Sequence, residues 1–163
     1  MILYEEVLKA FQKNKVKYVI VGGIAFNLLG GCRNTLDMDI LADMTDSNLR
    51  KIVTILKNKG YHVKQPVDPM GIAKREIRTD WIKNKHMKAF NFYKDEESYE
   101  EVDILIDAPV DYKKARKNAK KFTIRGISMN VVSVKDFLRL KKASAREQDL
   151  KDIKKIKIIY GLK

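Results

Sequence analysis

Between residues 18 and 43 the chain reads YVIVGGIAFNLLGGCRNTLDMDILAD. The β-branched and aromatic run up to Val21 stops at Gly22 and Gly23, which predicts a buried strand, a glycine turn and a short helix over IAFNLLG. Asp37 and Asp39 then stand two apart in LDMDILAD, a run of strand composition, so their side chains share one face while Met38 and Ile40 take the other. Two carboxylates held in one small volume repel, and a hard divalent cation such as Mg2+ (or Mn2+) removes the repulsion and prefers their oxygens. Taken alone, D-x-D also fits the solvated face of an edge strand. Its neighbours favour a ligand, because the glycine turn opens a helix whose free N–H groups suit phosphate.

The rest of the chain supplies an α+β frame. Leu3, Val7, Leu8 and Phe11 make one apolar face of a first helix over 3–13. The segment TDSNLRKIVTILKNKG predicts a helix capped by Thr45 or Asp46 and closed by Gly60. GIAKREIRT, MKAFNFY and EVDILID read as strands, with KDEESYEE as the hairpin loop between the last two, and FTIRGISMNVV as a further hairpin turning at Gly126. Ser133 with Asp136 three residues on marks a helix start. That helix is expected to break near Ala143 to Ala145, and a second follows with Leu150, Ile153 and Ile156 inward. One domain over 1–163 is expected, with a core of about 1–131 and a C-terminal helical segment of about 133–160.

Asp103 lies between Val102 and Ile104 in a strand otherwise built for burial, so its charge needs a partner. With Asp37 and Asp39 it would complete a site for two cations about 4 Å apart, as phosphoryl transfer uses. Asp107 is more simply a turn residue before Pro109.

Composition excludes several classes. One cysteine in 163 residues rules out an internal disulfide, and two separated histidines cannot join it in a zinc site of ordinary spacing. The longest apolar stretch is broken by glycines and Asn27 and falls short of a membrane span, and the acidic start MILYEEVL lacks a leader's basic region, so a cytoplasmic location is expected. The net charge of +13, from 34 Lys and Arg against 21 Asp and Glu, attracts polyanions. It fits equally a solvated lysine-rich surface.

The combination VGGIAFNLLGGCRNTLDMDIL followed by VDILI resembles the nucleotidyltransferase superfamily that shares the DNA polymerase β fold. The pattern is a hydrophobic-Gly-Gly turn, a spacer, D-x-D and a later carboxylate. RNTLDMD is similar to the R-x-T-x-D-x-D form of bacterial members such as the AbiEii-type toxins, and VVSVKDFLRLKKASAREQDLKDI to their K-x(4)-R-x-x-D-x-x-D segment. The resemblance implies a mixed sheet flanked by helices, and Mg2+-dependent transfer of a nucleoside monophosphate from an NTP to an acceptor hydroxyl. By the same resemblance Asp37, Asp39 and Asp103 would be the catalytic, metal-binding acids. Gly22 and Gly23 would offer backbone donors to phosphate, Arg33 and Thr35 would reach the nucleotide, and Lys141 would neutralise phosphate charge, with Arg146 and Asp149 also at the nucleotide.

The residues leave alternatives. Arg146 and Asp149, three apart on a helix, could pair with each other at the surface, and Asp152 reads as a solvated acid. Gly30-Gly31 suits a helix end and turn, and Cys32 a small packing residue. Trp81, Phe92 and Tyr93 read as core or hairpin residues, and His62 and His86 as surface. RNA or tRNA is the first acceptor expected from the charge and a protein side chain the second. The rival class is an inactive nucleotide- or nucleic-acid-binding protein, for example a toxin–antitoxin component acting with a partner protein.

Overall fold

The computed structural model describes residues 3–95 and 97–163; Met1, Ile2 and Glu96, the last within the expected loop KDEESYEE, lie outside the described residues. The strands are β1 (Tyr18–Ile20), β2 (Asp37–Ala42), β3 (His62–Val63), β4 (Ala89–Tyr93), β5 (Glu101–Leu105), β6 (Lys120–Ile124) and β7 (Ile127–Val131). The helices are α1 (Glu5–Lys13), α2 (Gly22–Leu28), α3 (Asp46–Asn58), α4 (Arg75–Lys83), α5 (Tyr112–Asn118), α6 (Val134–Ser144) and α7 (Glu147–Ile159). The strands form one mixed sheet in the order β3-β4-β5-β2-β1-β7-β6. With its helices, this is an α+β architecture.

β2 is therefore the middle strand, and the edge-strand reading of D-x-D is excluded. It runs antiparallel to β1 and parallel to β5, with Asp39 directly opposite Asp103. Alternation does the sorting: Met38 and Ile40 of β2, like Val102 and Ile104 of β5, are wholly buried on one face. The acids consequently share the other face.

Two polar anchors fix these strands. Tyr4, not the exposed Leu3, completes the buried face of α1 with Val7, Leu8 and Phe11. Its hydroxyl accepts the Glu101 N–H at 2.9 Å and meets the carbonyls of Leu36 and Glu101, tying the residue before β2 to the first residue of β5. Buried Asn48, on α3, bonds both backbone groups of Lys17 and the carbonyl of Asp43, and so joins the start of β1 to the end of β2.

GIAKREIRT is not a strand. Asp68 caps a 3-10 turn over Pro69–Ala73 by accepting from the Met70 N–H, and α4 follows at once. Arg78 and Trp81, three apart, point inward from α4. The Arg78 guanidinium donates to the carbonyls of Ile72 and Met44, a buried use of charge that no apolar periodicity announces. The sequence reading also omitted α5, which Asp111 caps by accepting from the Lys114 N–H.

The hairpin about Gly126 is present, and Ser133 caps α6 through the Asp136 N–H. Ala145, at φ 48°, ends α6 at the expected break. On α7, however, Leu150 is 56 % exposed while Asp149 and Asp152 turn inward with Ile156. Cys32 is exposed rather than packed. Trp81 and Phe92 lie in the core, Trp81 stacked on Phe90, while His62 and His86 are exposed. Among the described residues no helix is long and apolar enough to cross a membrane.

Candidate active site

A cavity of about 730 Å³ opens between the acid-bearing face of β2 and β5 and the helices α6 and α7. Every candidate residue named from the sequence lines it except Gly23. Gly23 sits immediately behind, where an added β-carbon would lie 2.3 Å from Thr35 Oγ1 and 2.7 Å from an Arg33 guanidinium nitrogen. It is a packing requirement of the wall.

The acids are electrostatically crowded. Burial, then the charges of Asp103 and Asp37, push the Asp39 carboxyl up to about 6. Asp103 is also raised, chiefly by burial, against a lowering hydrogen bond from Asn91. That bond, Asn91 Nδ2 to Asp103 Oδ1 at 2.7 Å, is backed by Gln65 Nε2 donating to Asn91 Oδ1 at 2.7 Å. Asn91 faces Asp103 across the β4–β5 ladder, and was missed although it carries the same signal as Asp103, a polar residue in a strand otherwise built for burial.

The donor set, carboxylate oxygens held close together, is that of a hard cation. As the side chains stand, no three His, Cys, Asp or Glu among the described residues converge on one point. Charge and ligand chemistry fit Mg2+.

The opposite wall is basic but strongly self-paired. Lys141 Nζ, on α6, lies 2.7 Å from Asp149 Oδ1 and 2.9 Å from Asp152 Oδ2. Asp149 also accepts from Ser144 Oγ, from Arg146 Nε and from the Arg146 N–H, the last capping the start of α7. Burial pushes the Asp149 carboxyl up, but the bonds from Arg146, Lys141 and Ser144 outweigh it and hold it well below the usual carboxylate range. The surface Arg146–Asp149 pair and the solvated Asp152 are thus corrected: Asp149 is 0 % and Asp152 1 % exposed. Asp149's oxygens are filled by protein donors, which suits it to hold Lys141 and Arg146 rather than to meet a nucleotide.

The loop between α2 and β2 brings Arg33 and Thr35 to the cavity. Asn27 clamps it by donating to the Arg33 carbonyl and accepting the Arg33 N–H, and the guanidinium carbon lies 5.9 Å from the Phe26 ring centre. Lys88 and Asp107, which the sequence reading did not place here, pair with each other on the cavity lining. Asp107 follows β5 on the same side as Asp103, the one signal that could have marked it.

This fold carries the resemblance expected from sequence, and solved structures bear it out. The lincosamide antibiotic adenylyltransferase LnuA with lincomycin bound aligns over 93 % of this chain and 92 % of its own, at 18 % identity and a TM-score of 0.55. The antibiotic-resistance factor ANT(2'')-Ia aligns in solution over 97 % of this chain and 82 % of its own (13 % identity, TM-score 0.61). In complex with adenylyl-2''-tobramycin it aligns over 97 % and 87 % (13 % identity, TM-score 0.57). The molecule is a nucleotidyltransferase of the polymerase β-like fold. Residues 3–156 match the aminoglycoside-2''-adenylyltransferase family model, and the chain belongs to that family. No curated protein matches it by sequence. The family is not the AbiEii type, and neither a toxin–antitoxin role nor an RNA acceptor finds support in these relatives.

Proposed function

We propose that the protein transfers the adenylyl group of ATP to a hydroxyl of an aminoglycoside antibiotic. The observation that carries the reading is the register of Asp37, Asp39 and Asp103 on neighbouring strands, lining one cavity of small-molecule size in a chain of this family. The charge balance agrees. Asp37, Asp39, Asp103, Asp107 and Asp149 outnumber Arg33, Lys88, Lys141 and Arg146 on the lining, so the net charge of +13 lies elsewhere on the surface. An RNA strand would be repelled at the acids, whereas a polyamine sugar is drawn to them.

In this reading Asp37 and Asp39 hold Mg2+ or Mn2+, with Asp103 beside them; the cation would supply charge neutralisation for the triphosphate and the acids. Asp103, oriented by Asn91, takes the proton of the acceptor hydroxyl as its oxygen bonds to the α-phosphorus. The bond from that phosphorus to the β-phosphate bridging oxygen breaks, and pyrophosphate leaves. Gly22 and Gly23 give amides to phosphate, and Arg33, Thr35, Lys141 and Arg146 hold the triphosphate from the other side. Alignment and charge neutralisation carry most of such a reaction.

The test is to incubate the protein with ATP and Mg2+ against a panel of aminoglycosides, with lincomycin and total RNA as alternative acceptors, and to read products by mass spectrometry. An aminoglycoside heavier by one adenylyl group is expected. A product on lincomycin or RNA alone would overturn the assignment of the acceptor.

A further inference from the structure

We propose that Asp152 is a positioning residue for the nucleotide: buried outside the cavity lining, it sets Arg33 and Lys141 as a pair and so couples the α2–β2 loop to both C-terminal helices. The proposal rests on the reading of Arg33 and Lys141 as the triphosphate wall.

Asp152 Oδ2 lies 2.9 Å from Lys141 Nζ and 3.3 Å from Arg33 Nε. Neither contact has hydrogen-bond geometry, so Oδ2 and Arg33 Nε are buried without a hydrogen-bond partner and the attraction is ionic. Oδ1 accepts from Gln148 Nε2 at 2.8 Å, which fixes the carboxylate plane. Three elements therefore meet at one carboxylate: the loop through Arg33, α6 through Lys141, and α7, which carries Asp152 itself.

The position argues against a merely structural acid. Asp149, Asp152 and Ile156 form the inward stripe of α7, where an apolar residue is the ordinary solution. A buried ion pair is seldom more stable than apolar packing of the same volume, so the charge at 152 needs a reason other than stability. Both cations that it holds line the cavity, and Asp152 does not. Beyond its 5.9 Å approach to the Phe26 ring centre, the Arg33 guanidinium has one long bond of 3.3 Å, from its Nη1 to the Asn34 carbonyl. Without Asp152 its long side chain regains rotamer freedom, which must be lost again when nucleotide binds.

The experiment is calorimetric titration of a non-transferable ATP analogue with Mg2+ into wild type, Asp152→Asn, Asp152→Glu, Arg33→Ala and the Asp152→Asn/Arg33→Ala double variant, with thermal melting alongside. Asp152→Asn and Asp152→Glu are each expected to weaken binding about tenfold, the glutamate because it keeps the charge and moves it. In turnover the KM for ATP should rise with the acceptor KM unchanged. The double variant should lose less than the product of the two single losses, since Asp152 acts in part through Arg33, the remainder passing through Lys141. Wild-type affinity in folded Asp152 variants, or effects that multiply in the double variant, would overturn the proposal while leaving the nucleotide cavity intact. Loss of fold in both Asp152 variants would make it a structural acid and also overturn it. Absence of analogue binding by wild type would overturn the cavity reading itself, and the proposal with it.

Discussion

A β-carbon on Gly22 would lie 1.8 Å from Asp39 Oδ2. The first residue of α2 and the second acid of β2 are thus in direct contact, and Gly22 also has φ 65°, where a side chain is strained. Gly22→Ala should displace Asp39 and cost upwards of about 1 kcal/mol from the backbone alone. A lowered melting temperature together with a loss of turnover of at least about a hundredfold is expected.

The fold disfavours the charged form of Asp39. Its carboxyl is raised to about 6 by burial and by Asp103 and Asp37, against an ordinary value of 3.8. Because the folded value is the higher, the stability this group contributes is fully present below about pH 4 and is lost as pH rises through about 6. Asp39→Asn should therefore stabilise the metal- and nucleotide-free protein by about 1–2 kcal/mol at pH 7.5, with the difference shrinking towards pH 5. Chemical denaturation of both proteins across that range, with EDTA present, measures it. The variant should have no transferase activity.

Asn91 holds Asp103 from the neighbouring strand and is held in turn by Gln65. Asn91→Ala should lower kcat about tenfold or more, with little change in the KM for ATP. Steady-state kinetics with saturating acceptor separates the two.

Lys88 and Asp107 form an exposed ion pair on the cavity lining. An ammonium group of the acceptor would compete with Lys88 for Asp107. Lys88→Ala should lower the KM for a cationic acceptor about threefold and Asp107→Asn should raise it, both leaving the KM for ATP alone. The same effect on both substrates would place the pair outside acceptor binding.

The strand, glycine turn, helix and D-x-D strand were legible because each depends on local rules: period-two alternation, and glycines where backbone and acid must touch. Asp103 was legible for the same reason, as a charge in an apolar run. The C-terminal helices were legible in extent, and Ile156 is buried as expected, but the inward acids of α7 were not foreseen. Apolar periodicity placed Leu150 inward, whereas the ionic cluster of Lys141, Asp149, Asp152 and Arg33 turns α7 so that Leu150 faces solvent. Such a cluster joins residues more than a hundred positions apart, and no local period encodes it. α4 failed similarly, since its inward face is shared by Arg78 and Trp81 rather than by an apolar stripe. The expectation of an RNA acceptor rested on the net charge, while the cavity lining itself carries five acids against four bases.

The most direct measurement uses ATP labelled either at the α- or at the γ-phosphate, an aminoglycoside acceptor and Mg2+, with Asp37→Asn/Asp39→Asn as the control. Label reaching the antibiotic from the α-position only, with pyrophosphate released and no transfer by the double variant, is the expected result. Label arriving from the γ-position, or equal transfer by the variant, would contradict nucleotidyl transfer at the three aspartates.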